Sequence, residues 1–195
     1  MSNEVSTAEI GQSFVVKFCR PEIRNPLSIA VLENLSNIIE KIDKGNRFDR
    51  LIFTGADGVF ASGANLREIA EVSSENAKEF ALRGQRLMAR IAALRQTTVA
   101  AVNGFCFGGA LDLALVCDRR IASPNASFAH PGAGLGIITG WGGTQRLPRL
   151  VGTAASLELL FTGSPVSAER ALELGLLDGM VKEPLEAALS RTKSA

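Results

Sequence analysis

The stretch Val99-Ala100-Ala101-Val102-Asn103-Gly104-Phe105-Cys106-Phe107-Gly108-Gly109-Ala110-Leu111-Asp112 decides the fold. Its first four residues form a short continuous apolar run, the pattern of a strand buried on both faces. Asn103-Gly104 breaks the run with a turn dipeptide. A helix then begins near Gly108-Gly109 and carries Leu111, Leu113, Leu115 and Val116. Buried strand, glycine turn and apolar helix, in that order, make a β-α unit. Repeating such units builds an α/β fold with a largely parallel sheet.

The alternation continues outward in both directions. Phe14, Val15, Val16 and Phe18 give a β-type run over 13–19, ended by Arg20-Pro21. From Pro26 onward, Leu27, Val31, Leu32, Leu35, Ile38, Ile39 and Ile42 recur at spacings of three and four, predicting a helix that stops at Gly45. Leu51-Ile52-Phe53-Thr54 is the next strand, followed by a loop of small residues over 55–63. A short helix is expected over 66–72. A longer one, capped by Ser73 or Ser74, runs through Ala77, Phe80, Ala81, Leu87, Met88, Ile91 and Leu94. Beyond the opening stretch come short strands over 119–123 and 127–129, then an irregular loop over 131–143 that holds six glycines. Helices are expected over 154–161, 168–174 and 185–191. Residues 1–12 are polar and expected to be flexible. Residues 13–195 read as one domain, because no linker or repeat divides them and domains average roughly 150 residues.

Composition excludes several functions. Lys+Arg is 21 and Asp+Glu is 20, so the net charge is +1 and the basic excess of a nucleic-acid binder is missing. With no Tyr and one Trp, an aromatic base-stacking surface is not expected. One histidine cannot build a multi-histidine metal site, and no metal ligands are expected. No run of about 18 apolar residues suggests a membrane span. The N-terminus lacks the apolar core of a signal peptide. Cys19, Cys106 and Cys117 are odd in number and widely spaced, which fits a reducing, cytoplasmic setting.

Two strand-to-helix junctions carry candidate chemistry. Phe60-Ala61-Ser62-Gly63-Ala64-Asn65-Leu66 is built of small residues that let backbone approach a ligand, and the same is true of Gly108-Gly109. A helix starting at Gly109 leaves backbone N–H groups free at the positive end of its dipole. Two amides, one from each junction, can hold a developing enolate oxygen. Neither junction is a phosphate-binding or dinucleotide motif. Both also read as ordinary tight turns.

Asp112 follows Gly109 by three residues and shares its helical face. An acid in a first turn can simply complement the dipole. Flanked by Ala110, Leu111 and Leu113, however, it is a paired or desolvated acid, and perturbed acids mark sites. His130 stands beside the glycine-rich loop and is either a structural residue or a group that titrates near neutral pH. Cys106 reads as a packing residue rather than a nucleophile. Ser62, His130 and Asp112 make a triad on paper, but the GxSxG elbow is missing.

At these residues the chain resembles the enoyl-CoA hydratase/isomerase (crotonase) superfamily, from about Phe14 to Val181. Arg20-Pro21 with Arg24-Asn25-Pro26-Leu27-Ser28 resembles the family's RP…NALN segment. Residues 60–66 resemble its FSAGADL loop. Residues 99–104 with Gly108-Gly109 and Cys117-Asp118 resemble AAVNG…GGG…CD. Gly142-Gly143-Thr144-Gln145-Arg146-Leu147-Pro148-Arg149 resembles GGTQRLPR, and Thr162-Gly163, Ala168, Ala171 and Gly175-Leu176 follow its later pattern.

The resemblance implies a spiral of ββα units and an acyl-CoA thioester substrate. No cofactor is implied beyond the substrate's own coenzyme A, and assembly is into homo-trimers or hexamers. It assigns the two oxyanion amides to Ala64 and Gly109 and the acid/base to Asp112; His130, two residues from Gly132, is expected by its position to assist. Arg24, Ala61, Gly63, Gly108, Gly132 and Trp141 are expected around the substrate. Ile137, Ile138 and Trp141 would form an apolar wall, although these also read as core. Gln145, Arg146 and Asp118 are assigned to structure.

Three departures bear on the chemistry. The family's first catalytic glutamate falls at Asp112, its second at Gly132, and its usual Asp after the oxyanion Ala at Asn65. The chain also ends at Ala195 where the family continues, so a shortened C-terminal helical region is expected. The leading expectation is an enoyl-CoA hydratase. An enoyl- or dienoyl-CoA isomerase using Asp112 alone is the second, since a 1,3-proton shift needs one base. A non-catalytic CoA-thioester binder is the third.

Overall fold

The computed structural model describes residues 4–45 and 47–190. Strands β1 (Val5–Ile10) and β2 (Ser13–Phe18) form a hairpin. They are followed by β3 (Pro26–Leu27), helix α1 (Ile29–Lys44), β4 (Arg50–Gly55), β5 (Val59–Ala61) and β6 (Gly63–Ala64). Next come α2 (Leu66–Ala70), α3 (Ala77–Ala92), β7 (Thr97–Val102), β8 (Phe105–Phe107) and α4 (Gly109–Val116). Strands β9 (Arg119–Ala122) and β10 (Ser127–Ala129) lead to a 3₁₀ turn at Pro131–Leu135. Then follow α5 (Gly143–Val151), α6 (Thr153–Thr162), β11 (Val166–Ser167), α7 (Ala168–Glu173), β12 (Gly179–Met180) and α8 (Pro184–Ser190).

The larger sheet has the order β1-β2-β4-β7-β9-β12 and the smaller β11-β10-β8-β5. Only the outer pairs β1/β2 and β10/β11 are antiparallel; the remaining neighbours in both sheets are parallel. The pairs β4–β5, β7–β8 and β9–β10 each place their first strand in the larger sheet and their second in the smaller. A helix follows each pair. This is the expected spiral of ββα units.

The main core lies around α4, which is apolar except for Asp112 and buried from Ala110 to Val116. A helix without a polar face belongs inside a protein. Helix α1 brings Val31, Leu32, Leu35, Ile39 and Ile42 to this core, and Phe18, Phe53, Phe60 and Phe128 fill it from the strands. Leu35 is fully buried, so Leu35→Ala costs about 2–5 kcal/mol. A second, smaller core covers the far face of the larger sheet. There Val15, Ile52, Val99 and Ile121 meet Ala188 of α8. Arg50 Nη1 donates to the carbonyls of Ala188 at 2.7 Å and Leu189 at 3.2 Å, satisfying acceptors at that helix's end.

Several sequence expectations need correction. Residues 5–10, expected to be flexible, form β1. Only Val5 is buried there, so this edge strand is held by backbone pairing to β2 and shows no apolar periodicity. The helix expected from Pro26 starts at Ile29, where Ser28 Oγ caps the Val31 N–H at 3.2 Å. Pro26 and Leu27 instead pair with Gly63 and Ala64. The long helix expected from Ser73 or Ser74 starts at Ala77, after Asn76. Helix α5 was not expected at all, because Gly142-Gly143 and the internal Pro148 disguise it. Arg191, the last residue of the helix expected over 185–191, lies outside the described residues.

Candidate active site

The ββα spiral delivers the two small-residue junctions to one place. The chain at Arg24 and Asn25 turns with φ of 63° and 47°. Buried Asn25 Nδ2 then donates to the carbonyls of Val59 at 2.8 Å and Phe60 at 3.1 Å. That clamp, with the β3–β6 pairing, fixes residues 60–64 against the start of α4. Gly63 has φ +84°, and a Cβ there would stand 2.6 Å from Gly109 N. Only glycine allows this approach. Ala64 and Gly109 therefore sit side by side, each half-buried. As the first residue of α4, Gly109 carries an N–H that no helical carbonyl can accept from.

Both residues line one cavity of about 410 Å³, together with Ser62, Gly108, Asp112, His130, Gly132 and Trp141. The rest of its wall is mostly apolar: Leu66, Ile69 and Val72 from the α2 region, Phe80 and Ala81 from α3, and Leu135, Ile137 and Ile138 from the glycine-rich loop. Leu66, Leu135, Ile137 and Ile138 are exposed, as expected of apolar groups at a cavity mouth.

Asp112 points from α4 into this cavity and is fully buried. Its Oδ2 accepts a hydrogen bond from the Thr139 hydroxyl, whereas its Oδ1 has no partner among the described residues. His130 Nε2 lies 3.7 Å from Oδ1, and neither imidazole nitrogen has a hydrogen-bond partner among the described residues. Burial pushes the Asp112 carboxyl up from 3.8 to about 6. Thr139, the Trp141 and Gly143 amides and Arg146 pull in the opposite direction. Burial likewise pushes His130 down to about 4, so its imidazole is neutral at pH 7.

Trp141 closes one side. Its ring is wedged between two glycines: a Cβ would stand 2.2 Å from Nε1 on Gly84 and 2.3 Å from Cζ3 on Gly109. Gly143 packs on the acid itself, since a Cβ there would meet Asp112 Oδ1 at 2.2 Å and His130 Nε2 at 2.9 Å. Gly132 has no room for a side chain, because a Cβ would meet the Ile137 carbonyl oxygen at 2.7 Å.

Of the residues singled out in the sequence, Ala64, Gly108, Gly109, Asp112, His130, Gly132 and Trp141 come together in the cavity lining. Ala61, Gly63 and Arg24 do not line it. Ala61 is fully buried in β5, Gly63 supports Gly109 from behind, and Arg24 is exposed over the Phe105 ring at 5.2 Å. Cys106 is buried in β8, with its thiol held well above the usual range by desolvation. Ser62 lines the cavity, but the partnerless His130 nitrogens leave the paper triad unformed. Asp118 is structural, its Oδ2 accepting from Thr98 N at 2.7 Å and Thr98 Oγ1 at 2.9 Å. Thr139, Gly84 and the α2–α3 wall were missed. A glycine inside an apolar helical pattern, as at Gly84, is the signal that something large packs on that spot.

Among the described residues no group of three or more His, Cys, Asp or Glu side chains is placed to hold a metal ion. No described helix is long and apolar enough to cross a membrane.

A parallel two-sheet spiral whose α4 N-terminus and preceding small-residue loop meet over a buried acid defines the crotonase fold. The solved structure of an enoyl-CoA hydratase from Bacillus anthracis superposes with a TM-score of 0.91 at 36% identity, over 95% of this chain and 74% of that one. The sequence profile of the family described as enoyl-CoA hydratase/isomerase matches residues 10–192. The chain belongs to this family. It is 38% identical over 185 residues to a short-chain-enoyl-CoA hydratase of Clostridium acetobutylicum, spanning 94% of this chain and 70% of that protein. It is also 39% identical over 164 residues to a crotonyl-CoA hydratase of Syntrophomonas wolfei, spanning 84% of this chain and 63% of that protein.

Proposed function

We propose that the chain is an enoyl-CoA hydratase that adds water reversibly to a 2-enoyl-CoA. One observation carries this reading: buried Asp112, whose Oδ1 has no hydrogen-bond partner among the described residues, lines the same cavity as Ala64 and Gly109. The family membership and the two hydratase relatives support the substrate class.

The thioester carbonyl oxygen binds at the Ala64 and Gly109 amides. Asp112, ionised above about pH 6, takes a proton from a water held between Oδ1 and neutral His130. The resulting hydroxide bonds to C3, and the electron pair of the double bond moves through C2 onto the thioester oxygen. The two amides stabilise that enolate charge, each such donor contributing on the order of 10²–10³ in rate. Asp112 then returns the same proton to C2. Every atom of the water ends in the product, and no cofactor is needed beyond the coenzyme A of the substrate.

Isomerisation is the second reading, and Gly132 favours it. The position offers no second acid and has no room for one. A 1,3-shift, in which Asp112 removes a proton at one carbon and returns it two carbons away, needs one base.

The free cysteines at positions 19, 106 and 117 support a reducing, cytoplasmic setting. The exposed apolar residues Leu157 and Phe161 on α6 and Leu172 on α7 support assembly with further copies, as a trimer or hexamer.

Mass spectrometry of 2-enoyl- and 3-enoyl-CoA incubated with the protein in heavy water tests these readings. Addition of the elements of water is the expected result. Double-bond migration or deuterium exchange without added water replaces hydration with isomerisation. No reaction of either substrate overturns both and leaves a CoA-thioester binder.

A further inference from the structure

We infer that Thr139 is a positioning residue, whose hydroxyl anchors Asp112 Oδ2 and so leaves Oδ1, beside His130 Nε2, as the proton-carrying oxygen. The inference rests on Asp112 being the acid/base. Thr139 interrupts an otherwise apolar and glycine stretch, Ile137-Ile138-Thr139-Gly140-Trp141, and reaches Asp112 across the cavity from the loop.

The two carboxylate oxygens stand in different surroundings. Oδ2 has a hydroxyl donor; Oδ1 has none. Without that anchor the carboxylate is free to rotate about its last bond and exchange the two oxygens. A fixed bond to Oδ2 removes that freedom and favours the ionised form, because a hydroxyl donates better to a carboxylate than to a carboxylic acid. The other groups facing Asp112 act differently. His130, at the end of β10, is neutral and forms no hydrogen bond to it. Arg146 of α5 acts through charge, with its Nη1 donating to the Trp141 carbonyl at 3.1 Å. Cys106 of β8 is a buried, protonated thiol. The Trp141 and Gly143 amides also favour the ionised form, yet Oδ1 is left without a hydrogen-bond partner among the described residues.

Thr139→Val keeps the shape and removes the donor; Thr139→Ser keeps the donor. The Asp112 midpoint is read by carboxyl carbon NMR on the full chain, beside the pH profile of hydration and the melting temperature. Thr139→Val should raise the midpoint by about one pH unit and move the acidic limb of kcat with it, while Thr139→Ser stays near the parent. Turnover of the valine variant at pH 6.5 should fall about threefold through the shifted midpoint, with KM within about twofold. A folded Thr139→Val protein with an unmoved midpoint overturns the inference. If the valine variant does not fold, Thr139→Ala carries the same readout. If the parent turns over no enoyl-CoA, the functional reading fails, whereas the NMR midpoint still decides the role of Thr139.

Discussion

His130 Nε2 stands 3.7 Å from Asp112 Oδ1, and neither atom has a hydrogen-bond partner among the described residues. Burial drives the two groups in opposite directions, the acid up to about 6 and the imidazole down to about 4. Near neutral pH the pair is therefore a carboxylate beside a neutral ring. That combination can take a proton from water and hand it on, and it leaves three buried polar atoms, Asp112 Oδ1 and both His130 nitrogens, without a hydrogen-bond partner among the described residues. Such a cost is kept at working sites.

Asp112→Asn removes the proton carrier and preserves the side-chain shape. Turnover of enoyl-CoA should fall by about 10³-fold or more, since positioned proton transfer contributes on the order of 10²–10⁴. Binding of a CoA thioester, followed by calorimetry, should persist. The variant should also be more stable at pH 7 by about 2–3 kcal/mol, the cost of holding a buried carboxylate whose pKa rises from 3.8 to about 6. Loss of binding along with turnover would assign Asp112 to structure.

The acidic limb of kcat/KM should have a midpoint at about 6, set by Asp112, with activity falling tenfold per unit below it. Stability should respond with two opposed contributions. Asp112 takes its proton at about 6 in the folded chain and near 3.8 unfolded, so acidification through that window favours folding. His130 takes its proton near 6.5 unfolded and at about 4 folded, so acidification from 6.5 to 4 favours unfolding. Urea denaturation at several pH values separates them. Relative to the parent, Asp112→Asn should lose its extra stability as pH falls from 6.5 to 4, and His130→Gln should gain. Parallel curves for all three proteins would contradict the assigned shifts.

The sequence made the spiral legible because its strands are buried on both faces and its main helices carry wide apolar stripes. Val99 to Val102 and the face of α1 show both patterns. It concealed β1, whose side chains are mostly exposed, and α5, whose Pro148 and leading glycines argue against a helix. At the site, Asp112 was conspicuous as the one acid in an apolar helix. Thr139 was not, because its partner lies 27 residues away and only the folded loop brings the two together. Arg24 lies over the Phe105 ring, outside the lining of the cavity, a placement that its spacing in the sequence does not reveal.

His130→Ala should lower hydration by about 10–10²-fold and leave CoA-thioester affinity within about threefold, because the imidazole's proposed task is to hold the attacking water. The pH midpoint set by Asp112 should move little, since burial rather than His130 raises it. An effect on kcat below about threefold would make His130 a packing residue. The comparison is best made at pH 7.5, where both groups are in their working forms.

Gly143→Ala tests how tightly the backbone of α5 is fitted to the chemistry. The added methyl would stand 2.2 Å from Asp112 Oδ1, 2.7 Å from Thr139 Cγ2 and 2.9 Å from His130 Nε2, so the acid, its anchor and its neighbour must all move. Overpacking of this kind costs about 1–3 kcal/mol in stability, and a displacement of the acid by an ångström can cost about 10² in rate. The expected result is a folded protein with a lowered melting temperature and turnover reduced by about 10²-fold. Gly132→Glu provides the contrast. Its side chain also starts against backbone, at the Ile137 carbonyl, but in an exposed loop rather than on the acid. Supplying this second carboxylate should therefore leave hydration unimproved, although stability should fall less than in Gly143→Ala. A rise in hydration of tenfold or more would show that the loop can open and that the chain lacks only the second acid.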